Sequence, residues 1–250
     1  MIEFLFYILY NKIGDNMRGK LIVIEGTDCS GKETQTKMLV EKLKELGIEC
    51  QRLSFPMYET PTGRIVGGPY LGKSYICDGW FEEGAINVDP KVSSLYYAAD
   101  RKYNIVKVED LLDKGINVIL DRYIYSNLAH QGGKIKSKKE RLEMYEWLEK
   151  LEFELLSLPH ADIKVFLHMP YEVSCILKKD RLEKMDQHES SKEHLLMAEN
   201  AYKEIADIYH FKTIECNIGD KPKKIEEINE ELFNYTYKKL SKKKKEYTIR

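Results

Sequence analysis

No apolar run in the 250 residues approaches the roughly 18–20 that a membrane-crossing helix requires, so no membrane partner is expected. Net charge is also lacking: 40 Lys and Arg stand against 41 Asp and Glu, a balance of −1. That excludes a globally basic nucleic-acid binder and leaves only a local basic patch to consider. Cysteine is sparse. Cys29, Cys50, Cys77, Cys175 and Cys216 are odd in number, widely scattered and free of any CxxC pair. A disulfide framework or zinc site is thereby disfavoured, and a cytoplasmic location is expected. No His/Cys/Asp group has zinc-ligand spacing, no local motif holds a Ser-His-Asp set, and neither an internal repeat nor a Pro/Gly/Ser-rich linker divides the chain.

What is present is an apolar content of 43%, enough for a sizeable core, and a regular alternation of elements. Residues 21–24 (LIVI) form a continuous apolar run, as in a strand buried on both faces of a parallel sheet. A helix follows with Leu39, Leu43 and Leu46 on one face, ended by Gly47, and then a strand over 48–55. Ile105, Val108 and Leu112 mark a helix that Gly115 ends; 116–120 is a strand closing on Asp121-Arg122. A long helix is expected over 138–157, broken by Pro159, then a strand over 163–168, helices over 171–183 and 192–210, a short strand over 213–216 and a charged closing helix. This pattern predicts one α/β domain: a parallel sheet of about five strands flanked by helices.

The ends stand apart. Residues 1–17 form an extension whose apolar stretch, Phe4 to Tyr10, is short and has no basic leader. It reads as an extra helix or strand, or as sequence ahead of a true initiator at Met17. Residues 217–250 carry the closing helix and a lysine-rich tail (Lys238, Lys239 and 242–245), read as a solvated helix end that takes no nucleic acid.

The most specific motif is Gly26-Thr27-Asp28-Cys29-Ser30-Gly31-Lys32, a GxxxxGK between a buried strand and a helix. Such a loop converges its amides on phosphate oxygens at a helix N-terminus, while Lys32 brings a mobile positive charge. The nucleotide-phosphate site is therefore placed at 26–34, including Glu33 and Thr34. Glu33 departs from the pattern, because Ser or Thr normally stands there to ligate Mg²⁺. A carboxylate can ligate Mg²⁺ itself, or Glu33 simply complements the positive helix end. Asp121-Arg122, at the carboxyl end of a parallel strand, lies on the edge where such sheets bind ligands.

GTDCSGKETQ (26–35), FPMYETPTG (55–63), YYAADR (96–101), DRYIYSNLAHQGG (121–133) and DQHE (186–189) occur in the order and at about the spacing of thymidylate kinases. The chain resembles that family from about Gly19 to Cys216. The resemblance implies a three-layer P-loop NTPase fold over 18–216 with a short helical lid near 176–190. It also implies transfer of the γ-phosphate of ATP to dTMP, Mg²⁺, and a homodimer. Under it, Lys32, Arg122 and Arg181 are the catalytic cations. Asp28, Phe55, Tyr58, Tyr97, Arg101, Arg122, Ser126, Asn127, His130 and Gln131 line the dTMP pocket. Tyr97 stacks on thymine, Arg101 reaches a base carbonyl and Arg122 holds the acceptor phosphate. Asp28, Glu33 and Asp121 are the metal candidates. Read without the resemblance, Tyr97 is a core aromatic and Arg101 a surface partner of Asp100. Tyr58, where many members have Arg, and His130, where many bacterial members have Tyr, put acceptor preference in question. Another nucleotide or deoxynucleoside kinase, or a non-catalytic nucleotide binder, are the competing readings.

Overall fold

The first strand, β1 (Leu21–Gly26), is buried at every position, so both of its faces must be covered. In the computed structural model, which describes residues 18–27, 29–178 and 192–241, helices cover both. β1 is the middle of five parallel strands in the order β2-β3-β1-β4-β5, with β2 at Cys50–Ser54, β3 at Asn117–Asp121, β4 at Ile163–His168 and β5 at Lys212–Glu215. A two-strand ribbon, β6 (Asn217–Ile218) with β7 (Lys221–Pro222), follows the sheet.

Eight helices are described: α1 (Lys32–Glu45), α2 (Pro61–Ile65), α3 (Pro90–Asp113), α4 (Ile124–Asn127), α5 (Lys138–Glu149), α6 (Tyr171–Lys178), α7 (Lys192–Ile208) and α8 (Ile225–Ser241). α2, α4 and α5 run on into π-helical turns at Val66–Tyr70, Leu128–Gly132 and Lys150–Leu155. Side chains alternate across the sheet. Leu21 and Val23 join Val118, Leu120 and Phe166 in a core under α3, α4, α5 and α7. Ile22 and Ile24 join Ile119, Val165 and Leu167 in a second core under α1 and α8. Each such fully buried aliphatic contributes on the order of 1.5–3 kcal/mol.

The expected three-layer α/β architecture is thus present, with local differences. The helix read from Ile105, Val108 and Leu112 begins earlier, at Pro90, where Asp89 Oδ1 accepts from the N–H groups of Lys91 and Val92 at 2.8 and 3.1 Å. The buried face of its first half carries Ser93, Ser94, Asp100, Arg101 and Asn104, so no apolar period announces that half. The 61–70 turns were hidden by Gly and Pro. The charged closing helix is a full layer of the fold, since Ile228 and Leu232 are buried in the core under α1. The extension 1–17, most of the lid near 176–190, and the tail from 242 lie outside the described residues.

Candidate active site

The carboxyl ends of β1, β2 and β3 open onto a cavity of about 440 Å³. Cys29, Gly31, Lys32, Glu33 and Thr34 form its phosphate-loop side; Phe55, Tyr58, Tyr97, Arg101, Asp121, Arg122, Ser126, Asn127 and His130 also line it. One cavity therefore collects eight of the residues assigned to the acceptor. Gln131 is not among the lining residues; it is wholly buried one turn beyond Asn127, and its amide has no hydrogen-bond partner among the described residues. Asp28 and Arg181 lie outside the described residues.

The loop is held tightly. A Cβ on Gly26 would stand 2.5 Å from Ser30 Oγ and 2.8 Å from the Leu167 carbonyl, so only glycine fits. Thr27 fastens the loop to β4's end, donating from Oγ1 to the Met169 carbonyl at 2.7 Å and accepting from the Met169 N–H at 3.0 Å. Lys32 Nζ donates to the carbonyls of Gly26 and Thr27 at 3.0 and 2.8 Å. Ser30 Oγ is buried and meets no partner among the described residues, a donor that a phosphate oxygen would satisfy.

Arg122 follows β3 with φ of +67°, a left-handed conformation that costs a non-glycine residue about 1–3 kcal/mol. Its Nη1 donates to Ser126 Oγ at 3.2 Å and to the Tyr202 hydroxyl at 3.1 Å. Both hydroxyls turn to Glu25, the one charged residue of β1. Glu25 accepts from Ser126 Oγ (2.6 Å), Tyr202 (3.3 Å) and the N–H groups of Tyr123 (2.8 Å) and Ser126 (3.1 Å). Burial pushes the Glu25 carboxyl above the usual carboxylate range, against the pull of Ser126 and Arg122.

Arg101 is 2% exposed, so the surface pairing with Asp100 does not occur. Its guanidinium grips Glu152 through two hydrogen bonds, Nε to Oε2 at 2.6 Å and Nη2 to Oε1. Burial alone would lower the Arg101 pKa; Glu152 outweighs it and raises it. Asn127 Nδ2 joins the same carboxylate at 3.2 Å. Asp100 instead braces the 55–63 loop, accepting from Met57 N–H and Thr62 Oγ1, each at 2.9 Å. Tyr97 packs edge-on against Tyr70 at 5.7 Å with its side chain on the cavity, and His130 Nδ1 lies 3.3 Å from His194 Nε2.

Among the described residues no three carboxylate, His or Cys side chains cluster as a metal site. A Mg²⁺ that arrives with a nucleotide takes most of its ligands from phosphate and water and needs only one or two carboxylates. Asp121 fits that need: it lines the cavity, with Oδ2 engaged by Arg52 Nη2 at 2.7 Å. Glu33 is less well aimed, its carboxylate drawn to Lys37 at 2.7 Å on an exposed flank.

Sequence reading missed Glu25, Arg52, Lys73, Glu152, His194 and Tyr202. Glu25 alone had a signal, a lone carboxylate ending a run of four buried aliphatics.

The phosphate loop between β1 and α1, the 2-3-1-4-5 sheet and the cavity at its carboxyl edge define a P-loop NTPase fold. The profile of the thymidylate kinase family matches residues 24–232. The probable thymidylate kinase of Pyrococcus abyssi is 34% identical over 66% of this chain and 72% of that protein. The thymidylate kinase of Plasmodium falciparum is 38% identical over 50% of this chain, and the match spans 54% of that protein's length. The structure of thymidylate kinase from Candida albicans superposes with a TM-score of 0.69, covering 89% of this chain and 93% of that one at 25% identity. The chain belongs to the thymidylate kinase family.

Proposed function

We propose that this protein is a phosphotransferase that passes the γ-phosphate of ATP to dTMP, giving dTDP and ADP for dTTP synthesis. The observation that carries this reading is that Lys32 of the phosphate loop, Arg122 and Tyr97 line one cavity. Their sharing one small volume supports a donor phosphate and an aromatic base platform held close together, as in-line transfer requires.

The acceptor phosphate has a second pKa near about 6, so it is mostly ionised at neutral pH and needs no general base. The obstacle is repulsion between two anions. Lys32 and Arg122, with Arg181 from the lid, are assigned to offset it. Phe55, Tyr97 and Asn127 would hold the thymine, with Arg101 fixed by Glu152 to meet a base carbonyl. Mg²⁺ would be held by Asp121, with Glu33 and Asp28 as further carboxylates. Bound there, it would screen the charge on the transferring phosphate.

The exposed face of α3 supports a homodimer. Val92, Leu95, Tyr103 and Val106 are all exposed and fall within one helical arc, an apolar stripe that a second copy would cover. None of the five cysteines is in a disulfide, which fits a reducing cytoplasm.

A coupled ADP-release assay with ATP, Mg²⁺ and a panel of nucleoside monophosphates tests the reading. Turnover strongly preferring dTMP is expected. Preference for another acceptor would favour the second reading, a kinase for another nucleotide, which the Tyr58 and His130 lining residues support. ATP binding without turnover for any acceptor would refute the kinase altogether.

A further inference from the structure

We propose that Glu152 sets which pyrimidine the cavity accepts, by fixing the orientation of Arg101 and Asn127; this rests on the acceptor reading of the cavity given above. All three are buried: Glu152 is 0% exposed, Arg101 2% and Asn127 3%. Arg101 on α3 and Asn127 on α4 line the cavity. Glu152 is not among the lining residues and reaches both from behind, out of the π-helical turn that follows α5.

The hydrogen bonds fix a polarity. Arg101 engages Glu152 through Nε, at 2.6 Å from Oε2, and through Nη2, which leaves the Nη1 group, a donor only, for a ligand. Asn127 Nδ2 donates to Glu152 Oε1 at 3.2 Å and to the Ser94 carbonyl at 3.4 Å. Both partners are acceptors, so the amide cannot turn over without setting oxygen against oxygen. Asn127 Oδ1 is buried and has no hydrogen-bond partner among the described residues. The cavity therefore offers a donor from Arg101 and an acceptor from Asn127. Thymine and uracil present the complement, a carbonyl oxygen beside a ring N–H. Cytosine presents the reverse, an amino group beside an unprotonated ring nitrogen. A site of buried polar groups rejects the base that leaves them unmatched. Glu152 does not touch the base; it is a positioning residue that holds the order of donor and acceptor.

The test is equilibrium binding of dTMP and of dCMP to the full-length protein, alongside steady-state kinetics with ATP and dTMP. In Glu152→Gln one carboxylate oxygen becomes an NH2 group, so Asn127 can turn its own NH2 toward the cavity. The variant is expected to weaken dTMP binding and raise its KM by about 10- to 100-fold, the usual range for a charge-assisted hydrogen bond. Binding of dCMP should stay within about threefold, so the preference for dTMP over dCMP falls by at least about threefold. The kcat and the KM for ATP should also stay within about threefold, because the lost contacts hold the base and not the phosphates. Breaking a buried ion pair is costly to the fold. Glu152→Asp keeps the charge and withdraws it by one methylene. It should shift the preference in the same direction, and it decides the matter if Glu152→Gln does not fold. Equal losses for dTMP and dCMP would reduce Glu152 to a prop of the fold and overturn the proposal. So would an unchanged preference in the deciding variant. The wild-type protein separates this proposal from the reading beneath it. Preference for dUMP over dTMP would refute the dTMP reading and leave Glu152 its role, because uracil has the same edge. Binding dCMP as tightly as dTMP would overturn this proposal alone. A wild-type protein that binds no pyrimidine monophosphate would overturn both.

Discussion

Replacing Glu25 tests whether a buried carboxylate behind the catalytic loop holds Arg122 in its left-handed backbone. In Glu25→Ala the Ser126 and Tyr202 hydroxyls keep one another at 2.8 Å and keep Arg122. The N–H groups of Tyr123 and Ser126 lose the acceptor they now share. Each orphaned buried donor costs about 1–3 kcal/mol, so the two together cost about 2–6 kcal/mol. That is a large part of the about 5–15 kcal/mol that stabilises a typical domain. At about 2–4 °C per kcal/mol for a chain of this size, the melting temperature should fall by at least about 4 °C. Glu25→Gln keeps an acceptor for both amides and should lose less. It also removes a pH dependence whose sign follows from burial. Glu25 has its folded pKa raised above 4.5, so the folded state takes up a proton that the unfolded state has lost. The contribution of Glu25 is therefore largest below 4.5 and declines as pH rises through the raised value. The stability advantage of wild type over Glu25→Gln should shrink across that interval. Thermal unfolding at several pH values reads both effects. An alanine variant that melts within about 1 °C of wild type, with Arg122 still functional, would refute the reasoning.

Lys32→Ala and Arg122→Ala should each cut kcat by at least about a hundredfold, the usual order for losing one transition-state charge contact, while the melting temperature stays close to wild type. A folded Arg122→Ala protein with near-normal turnover would refute its role. Val106→Glu on the exposed face of α3 should convert a dimer to monomers in sedimentation, and unchanged sedimentation of a dimer would place the interface elsewhere. The His168–Glu199 pair should give the stability profile two limbs. For Glu199, burial is outweighed by hydrogen bonds from His168 and Lys203, which hold its carboxyl at about 2, so its contribution is lost as pH falls from 4.5 toward that value. For His168, burial is outweighed by Glu199 and Glu215, so its pKa is raised and its contribution is lost as pH rises through it. Glu199→Gln should flatten the acid limb and His168→Gln the alkaline one, as read by urea unfolding against pH.

The fold was legible where burial is two-sided and apolar. The runs at 21–24, 116–120 and 163–168 have no alternative to a covered parallel sheet, and Gly47 and Gly115 end their helices with φ of +71° and +78°. It was illegible where polar residues are buried in mutual satisfaction. The inner face of α3 reads as surface because Asp100, Asn104, Thr60 and Thr62 bond one another, and nothing local in sequence says so. Site residues carried by motifs were found for the same reason that the motifs exist, since a phosphate loop must be contiguous. Arg52, Glu152 and Tyr202 reach the site from β2, the turn after α5, and α7, so only the assembled chain brings them in.

Those distant residues explain how the cavity proposed here for two anionic ligands tolerates several carboxylates. Among the described residues, four acids near the site each have a donor: Asp121 has Arg52, Glu152 has Arg101, Glu33 has Lys37, and Glu25 has Ser126 with two amides. In a partly desolvated cavity an unmatched carboxylate would repel an incoming phosphate by several kcal/mol, whereas a locally matched one presents only a weak dipole. Of the cations that line the cavity, Lys32 donates to backbone carbonyls and Arg122 to hydroxyls. Those contacts fix the geometry of both side chains before a ligand arrives. Removing an acid's partner should therefore damage phosphate binding without touching the phosphate. Arg52→Met, which leaves Asp121 unmatched, is expected to raise the KM for both nucleotides, and additional Mg²⁺ should recover part of the loss by taking up the exposed carboxylate. A KM unchanged in Arg52→Met would mean that Asp121 is already silent toward the ligands, and that the matching of acids to donors serves the fold alone.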